Sequence, residues 1–241
     1  LLDLRNISLV PDHPSVQKEI IRLLDTTKAD DGGIMLGPST QHRSDVCVNG
    51  MLLYYASYFG IDEGRLSSLI DCLLGEIMND GGFNCRTTRS GATHSSLHST
   101  ISVLEGFESY IFAGHSYRLQ EVVSAKHSSI EFILAHRLYK SDKTGNIIHP
   151  DFLKLRYPSR WKYDVLRALD YFQTANVSYD PRMQDAIDYL LQKRNKIGTW
   201  NMQAKHPGKV HFEMEKAGQP SRINTLRVLR VLKHFDQLGH L

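Results

Sequence analysis

Apolar residues fall along this chain at helical rather than strand spacing. Leu66, Leu69, Ile70, Leu73, Leu74 and Ile77 follow the i, i+3, i+4, i+7 recurrence that lays one stripe of a helix against a core. Val16, Ile20, Leu23 and Leu24 make a shorter stripe on a helix predicted from Pro14 to Leu24, where the proline suits a first turn. Ser44 or Asp45 is placed to cap a second helix reaching about Phe59. Met51, Leu52, Leu53, Tyr54 and Tyr55 leave that helix apolar nearly all round, as expected of one buried on several sides. Further helices are predicted from about Ser95 to Phe112, Tyr117 to Tyr139, Lys162 to Phe172, Pro181 to Leu191 and Ser221 to about Phe235. No segment alternates with period two, so no strand is expected, and Pro150 and Pro158 make 149–160 a loop.

Glycine-containing turns punctuate these helices in a recurring order. Gly33, Gly82, Gly145 and Gly198 recur at intervals of about 50–60 residues, close to the period of helix-pair repeats. The expected architecture is all-α, a single domain over 1–241 made of four helical hairpins near 14–60, 62–115, 117–174 and 181–236. Such hairpins stack to bury a core that none could bury alone.

Composition narrows the function classes. The 241 residues are 41% hydrophobic and 23% charged, which excludes a disordered chain. A net charge of +3 is spread rather than clustered, so neither a nucleic-acid footprint nor a polybasic anchor is written here. No apolar run has membrane-spanning length and no signal peptide is visible, so the expected location is the cytoplasm. Three cysteines do not make a disulfide framework, which points to thiols that are packed, reactive or metal-bound, with Cys72 read as core. The chain begins at Leu1 without Met, and an N-terminal portion is expected to be missing.

Helix, then Asp80-Gly81-Gly82-Phe83 or Gly198-Thr199-Trp200, then loop, then helix, resembles the α/α toroid of squalene and terpenoid cyclases and of protein prenyltransferase β subunits. Asp80 to Cys85, His136-Arg137-Leu138-Tyr139, Tyr163-Asp164-Val165-Leu166-Arg167 and Pro220-Ser221-Arg222 resemble the bacterial squalene-cyclase-like group with prenyltransferase and squalene-oxidase repeats in particular. The resemblance implies a toroid of six hairpins, of which four are counted here, and a cavity for an apolar or isoprenoid small molecule. The cyclase acid motif Asp-x-Asp-Asp is absent, its nearest approach being Lys28-Ala29-Asp30-Asp31, and so is Asp-Asp-x-x-Asp.

The same resemblance implies a metal site. Prenyltransferase β subunits hold zinc with an Asp, a Cys two residues on, and a His in the next repeat. Here Asp45, Cys47 and His94 answer that description, with Cys85 as an alternative or fourth ligand that would make the zinc structural rather than catalytic. The implied reaction is zinc-assisted alkyl transfer or hydrolysis. Read without the metal, Asp45 is an N-cap, Cys47 a small buried residue and His94 a satisfied polar residue at a helix start. His98 lies one turn beyond His94, at the spacing of a shared metal, with Glu105 on the same face, and is also a candidate substrate contact. Arg86 and Arg89, beside His42 and Arg43, offer positive charge to a substrate or sit as surface arginines. Tyr157, Trp161, Tyr163 and Asp164 enter a helix, Trp161 and Tyr157 as substrate-contacting aromatics and Tyr163 and Asp164 as catalytic groups. Alternatively, Trp161 staples the loop and Asp164 pairs with Arg167 or Arg160. Trp200 is read as packing, and His206, His211, Glu213 and Glu215 as a solvated flap. Two rival functions stand beside the zinc enzyme: a non-catalytic helical-repeat module that binds a ligand or protein, and a cyclase whose acid lies in missing repeats.

Overall fold

The computed structural model describes residues 1, 4–5, 7–36, 43–85, 91–205, 210 and 212–240. The chain is all-α. In chain order its α-helices among the described residues are α1 (Pro14–Thr26), α2 (Val46–Tyr58), α3 (Glu63–Gly75), α4 (Leu97–Phe112), α5 (Leu119–Ala135), α6 (Val165–Thr174), α7 (Gln184–Gln192) and α8 (Arg222–His234). Among the described residues the strands are two residues long, β1 (Trp200–Asn201) antiparallel to β2 (Pro220–Ser221). None of the described helices is long and apolar enough to cross a membrane.

Element ends differ from the sequence reading where a cap or a backbone reversal intervenes. Helix α5 stops at Ala135 rather than Tyr139, because Arg137 and Leu138 turn to positive φ, 41° and 66°, which no α-helix accommodates. Helix α6 starts at Val165 rather than Lys162, since Asp164 caps it by accepting from the Arg167 amide at 2.9 Å. Inside the expected loop 149–160, Pro150–Leu153 forms a 3₁₀ turn capped by His149, whose Nδ1 accepts from the Asp151 amide at 3.1 Å.

The chain divides into two compact units, 1–132 and 133–241, with the division inside α5. In the first, α2 and α4 approach so closely that side chains are excluded at the crossing. A Cβ on Gly50 would lie 2.6 Å from the Ser102 carbonyl oxygen, and one on Gly106 would lie 2.6 Å from the carbonyl oxygen of Gly50 itself. Leu52, Leu53, Phe59, Leu66, Phe83, Phe107 and Tyr110 are fully buried around that crossing. This explains why α2 reads as apolar nearly all round: neighbours cover more than one of its faces.

Two loops of this unit are built alike. Asp31 accepts from the amides of Gly33 at 3.0 Å and Ser44 at 2.8 Å, while Asp80 accepts from the Ser95 amide at 2.8 Å and from its hydroxyl. The next residue after each glycine pair is then fastened to the following helix. The Ile34 amide donates to Asn49 Oδ1 at 2.7 Å and the Phe83 amide to Thr100 Oγ1 at 3.0 Å. In the second unit the device returns with a different aromatic, the Trp200 amide donating to Thr225 Oγ1 at 3.1 Å. Trp200 is buried and its indole N–H donates to the Leu190 carbonyl at 2.6 Å, so it is packing, as read from the sequence.

Helices α6 and α8 pack on each other in the second unit. Arg227 on α8 donates from Nε to Asp170 Oδ2 on α6 at 2.9 Å. Asn224 Nδ2 donates to the Leu155 carbonyl at 3.2 Å, tying the start of α8 to the loop that leads into α6.

Candidate functional site

Asp45 and Ser96 are the N-caps of α2 and α4. Because Asn49 and Thr100 hold equivalent bonds to Ile34 and Phe83, the two helix starts are in register, and Cys47 corresponds to His98 rather than to His94. His94 precedes its cap, is exposed, and uses its carbonyl to accept from Asn84 Nδ2 at 2.7 Å. His98 is half-buried in the first turn of α4, and its carbonyl accepts from the Ser102 hydroxyl at 3.2 Å.

Cys85 closes the gap between the two repeats. It lies in the loop after Gly81-Gly82, half-buried, and its Sγ sits 3.0 Å from the Cys47 amide, which donates to it. That amide is one of the first-turn donors of α2 that no helical carbonyl satisfies. The Ser99 hydroxyl donates to the same sulfur at 3.2 Å and accepts the Cys85 amide at 3.1 Å. The Cys47 thiol acts on the same sulfur electrostatically, so that the two thiols do not ionise independently.

These donors split the two thiols. The Cys47 thiol, beside it, draws Cys85 down to about 7, burial opposing and the Ser99 hydroxyl and Cys47 amide assisting. Cys47 is pushed far upward, first by its bond to Cys85 and then by burial. At a thiol pair only one sulfur ionises readily, and here it is the one with the most donors. The Asp45 carboxylate acts on both, opposing their ionisation. Cys72 is separate. Buried on α3 at 3.5 Å from the Ser44 hydroxyl, it is pushed up to about 11 by burial.

Of the metal-ligand set read from the sequence, Asp45, Cys47 and Cys85 are thus neighbours. Among the described residues no three His, Cys, Asp or Glu side chains form a group arranged to hold a metal ion. The donor types present suit zinc, but a metal there needs a donor beyond the two thiols and Asp45 as they stand. Arg86, Arg89, His42, His206 and His211 lie outside the described residues. Arg43 is exposed and sits 3.7 Å from Glu76.

Tyr157, Trp161, Tyr163 and Asp164 belong to the second unit. Tyr163 is fully buried, its hydroxyl donating to the Leu138 carbonyl at 2.6 Å, and it packs edge-on against Phe152 at 5.1 Å. Tyr157 is buried, whereas Trp161 is 41% exposed with the Lys162 ammonium 5.6 Å from its ring. Asp164 is fully buried. Its Oδ1 caps α6, while Oδ2 finds no hydrogen-bond partner among the described residues. Burial raises its pKa, against the pull of Arg227, Arg167 and Arg156. Glu215, expected in a solvated flap, instead accepts from the Arg222 amide at 2.8 Å and from Ser221, and so anchors the start of α8.

Sequence reading missed Ser99. Its signal was positional: it precedes Thr100, the residue that fastens Phe83, and so faces the loop carrying Cys85. Compared with protein-family models and with curated proteins, the chain matches none.

Proposed function

We propose that this chain is an α/α-toroid protein of the cyclase and prenyltransferase kind, acting on a small apolar, isoprenoid-like molecule through a thiol-centred site in its first unit. Cys85 Sγ is the nucleophile. The observation that carries this reading is the pair of donors converging on that one sulfur: the Cys47 amide at 3.0 Å and the Ser99 hydroxyl at 3.2 Å. Donors to a sulfur stabilise its anion, and the thiolate is the reactive form. In the first half of an alkyl transfer its electron pair forms a C–S bond while the leaving group departs with its own pair. The resemblance supplies the substrate class.

Alkylation with N-alkylmaleimides of increasing chain length, followed by peptide mass mapping, tests the proposal. Cys85 reacts at least about tenfold faster with an N-decyl than with an N-methyl reagent, a difference of roughly 1.4 kcal/mol, and Cys72 shows no such preference. Equal rates at Cys85 for all chain lengths would contradict an apolar substrate and favour the non-catalytic helical-repeat module.

A second reading takes up the negative charge of Asp45, which bears electrostatically on both thiols. In it the same cluster, completed by a further donor, holds zinc, which when bound keeps a thiol deprotonated. Metal analysis of untagged protein decides it: one zinc per chain, lost in Cys85→Ser, supports the centre, and background zinc in the unaltered protein ends it.

A further inference from the structure

Two free thiols in one unit meet at this site, whereas the third cysteine stands apart from them. Cys47 is fixed in the first turn of α2, and Cys85 lies outside any helix, in the loop of the following repeat. They are 38 positions apart in sequence. Both residues are half-buried rather than sealed. The Cys85 sulfur accepts the amide of Cys47 itself at 3.0 Å, which sets it against the residue that carries the second thiol, and it also accepts the Ser99 hydroxyl at 3.2 Å.

We infer that Cys47 and Cys85 form a redox-active dithiol, which a low-molecular-weight disulfide converts reversibly to an intramolecular disulfide. Cys85 is the attacking sulfur and Cys47 the resolving one. In the first step the Cys85 thiolate attacks one sulfur of R–S–S–R. The S–S bond of the reagent breaks, Cys85–S–S–R forms, and RS⁻ leaves to take a proton as RSH. In the second step Cys47 gives its proton to solvent and attacks the Cys85 sulfur, expelling the other RS⁻, which is protonated in turn. The protein loses two protons and two electrons, and the reagent becomes two RSH. Ser99, donating to the Cys85 sulfur, is the positioning residue. This inference rests on the meeting of the two sulfurs and is independent of the substrate class or metal proposed above. Chain-length-independent alkylation or background zinc would leave it standing.

The test uses the full chain, treated with a chelator and equilibrated without air in glutathione buffers from fully reduced to fully oxidised. Remaining thiols are blocked with a maleimide and the cysteine peptides mapped by mass. The expected result is that Cys47 and Cys85 lose their label together and a Cys47–Cys85 linked peptide appears, two hydrogens lighter than its parts. Reduced glutathione restores both thiols, and Cys72 keeps its label throughout. Cys47→Ser is expected to stop at a stable glutathione adduct on Cys85, and Cys85→Ser to form neither adduct nor link. Because the unaltered chain gives the main readout, a variant that fails to fold does not cost the test. Retention of both labels in fully oxidised glutathione would overturn the inference. An unaltered chain that stops at a Cys85 adduct would overturn it equally.

Discussion

At the scale of single residues, the molecule separates groups that the sequence cannot tell apart. Three cysteines look alike in the chain, yet Cys85 receives two donors, one of them the Cys47 amide, and Cys72 sits in the core. Ser99→Ala therefore raises the pH at which Cys85 ionises, read as a rightward shift of its alkylation profile. Leaving the Cys85 amide without its acceptor also costs about 1 kcal/mol of stability, measurable by urea unfolding. Asp164 presents the opposite electrostatic case. Burial raises its pKa in the folded chain, so the folded state binds more protons than the unfolded one. Stability of the second unit then falls as pH rises from the unfolded carboxyl value, about 4, through the raised folded value. Asp164→Asn keeps a capping oxygen and removes this slope; an unchanged slope in urea unfolding between pH 4 and 7 would show that Asp164 is not its source.

Among elements, the helices were legible because each carries its own periodicity and its own stop. The register between helix starts was not. Offsets counted from the glycines align Cys47 with His94, whereas the bonds from Asn49 and Thr100 to the preceding loops align it with His98. Loop lengths differ between the repeats, so an offset through a loop carries an error that a hydrogen bond to a fixed backbone atom does not. Element ends were lost for a similar reason: the positive φ of Leu138 and the cap at Asp164 are local events that apolar spacing does not encode. The crossing of α2 and α4 makes a sharp prediction. Gly106→Val places a side chain against the Gly50 backbone and costs roughly 1–3 kcal/mol. Gly75→Ala, at the exposed end of α3 with nothing within 4 Å of its Cβ, is neutral or gains up to about 1 kcal/mol. Phe83→Ala removes a fully buried ring that stands edge-on to Phe107 at 6.1 Å and costs about 3–5 kcal/mol. Urea unfolding of each variant ranks the three, and equal costs at Gly106 and Gly75 would contradict the close crossing.

For the whole molecule, composition spoke for an ordered chain with spread charge, and the structure is all-α. The candidate residues were a different matter. Asp45, Cys47 and Cys85 come together in the first unit because the loop of one repeat folds onto the helix start of the one before it, while Tyr163 and Asp164 lie in the second unit. With a net charge of +3 and no basic cluster, the chain is expected to pass unretained over immobilised duplex DNA at about 0.15 M salt, and retention would point to a nucleic-acid partner. The account turns on one sulfur being set apart from the other two. Site-resolved alkylation rates of the three cysteines across pH, under reductant, measure this directly. The predicted profile has Cys85 reacting at the lowest pH of the three, with Cys47 and Cys72 slow until the solution is strongly alkaline. A common midpoint for all three, or Cys47 reacting ahead of Cys85, would contradict it.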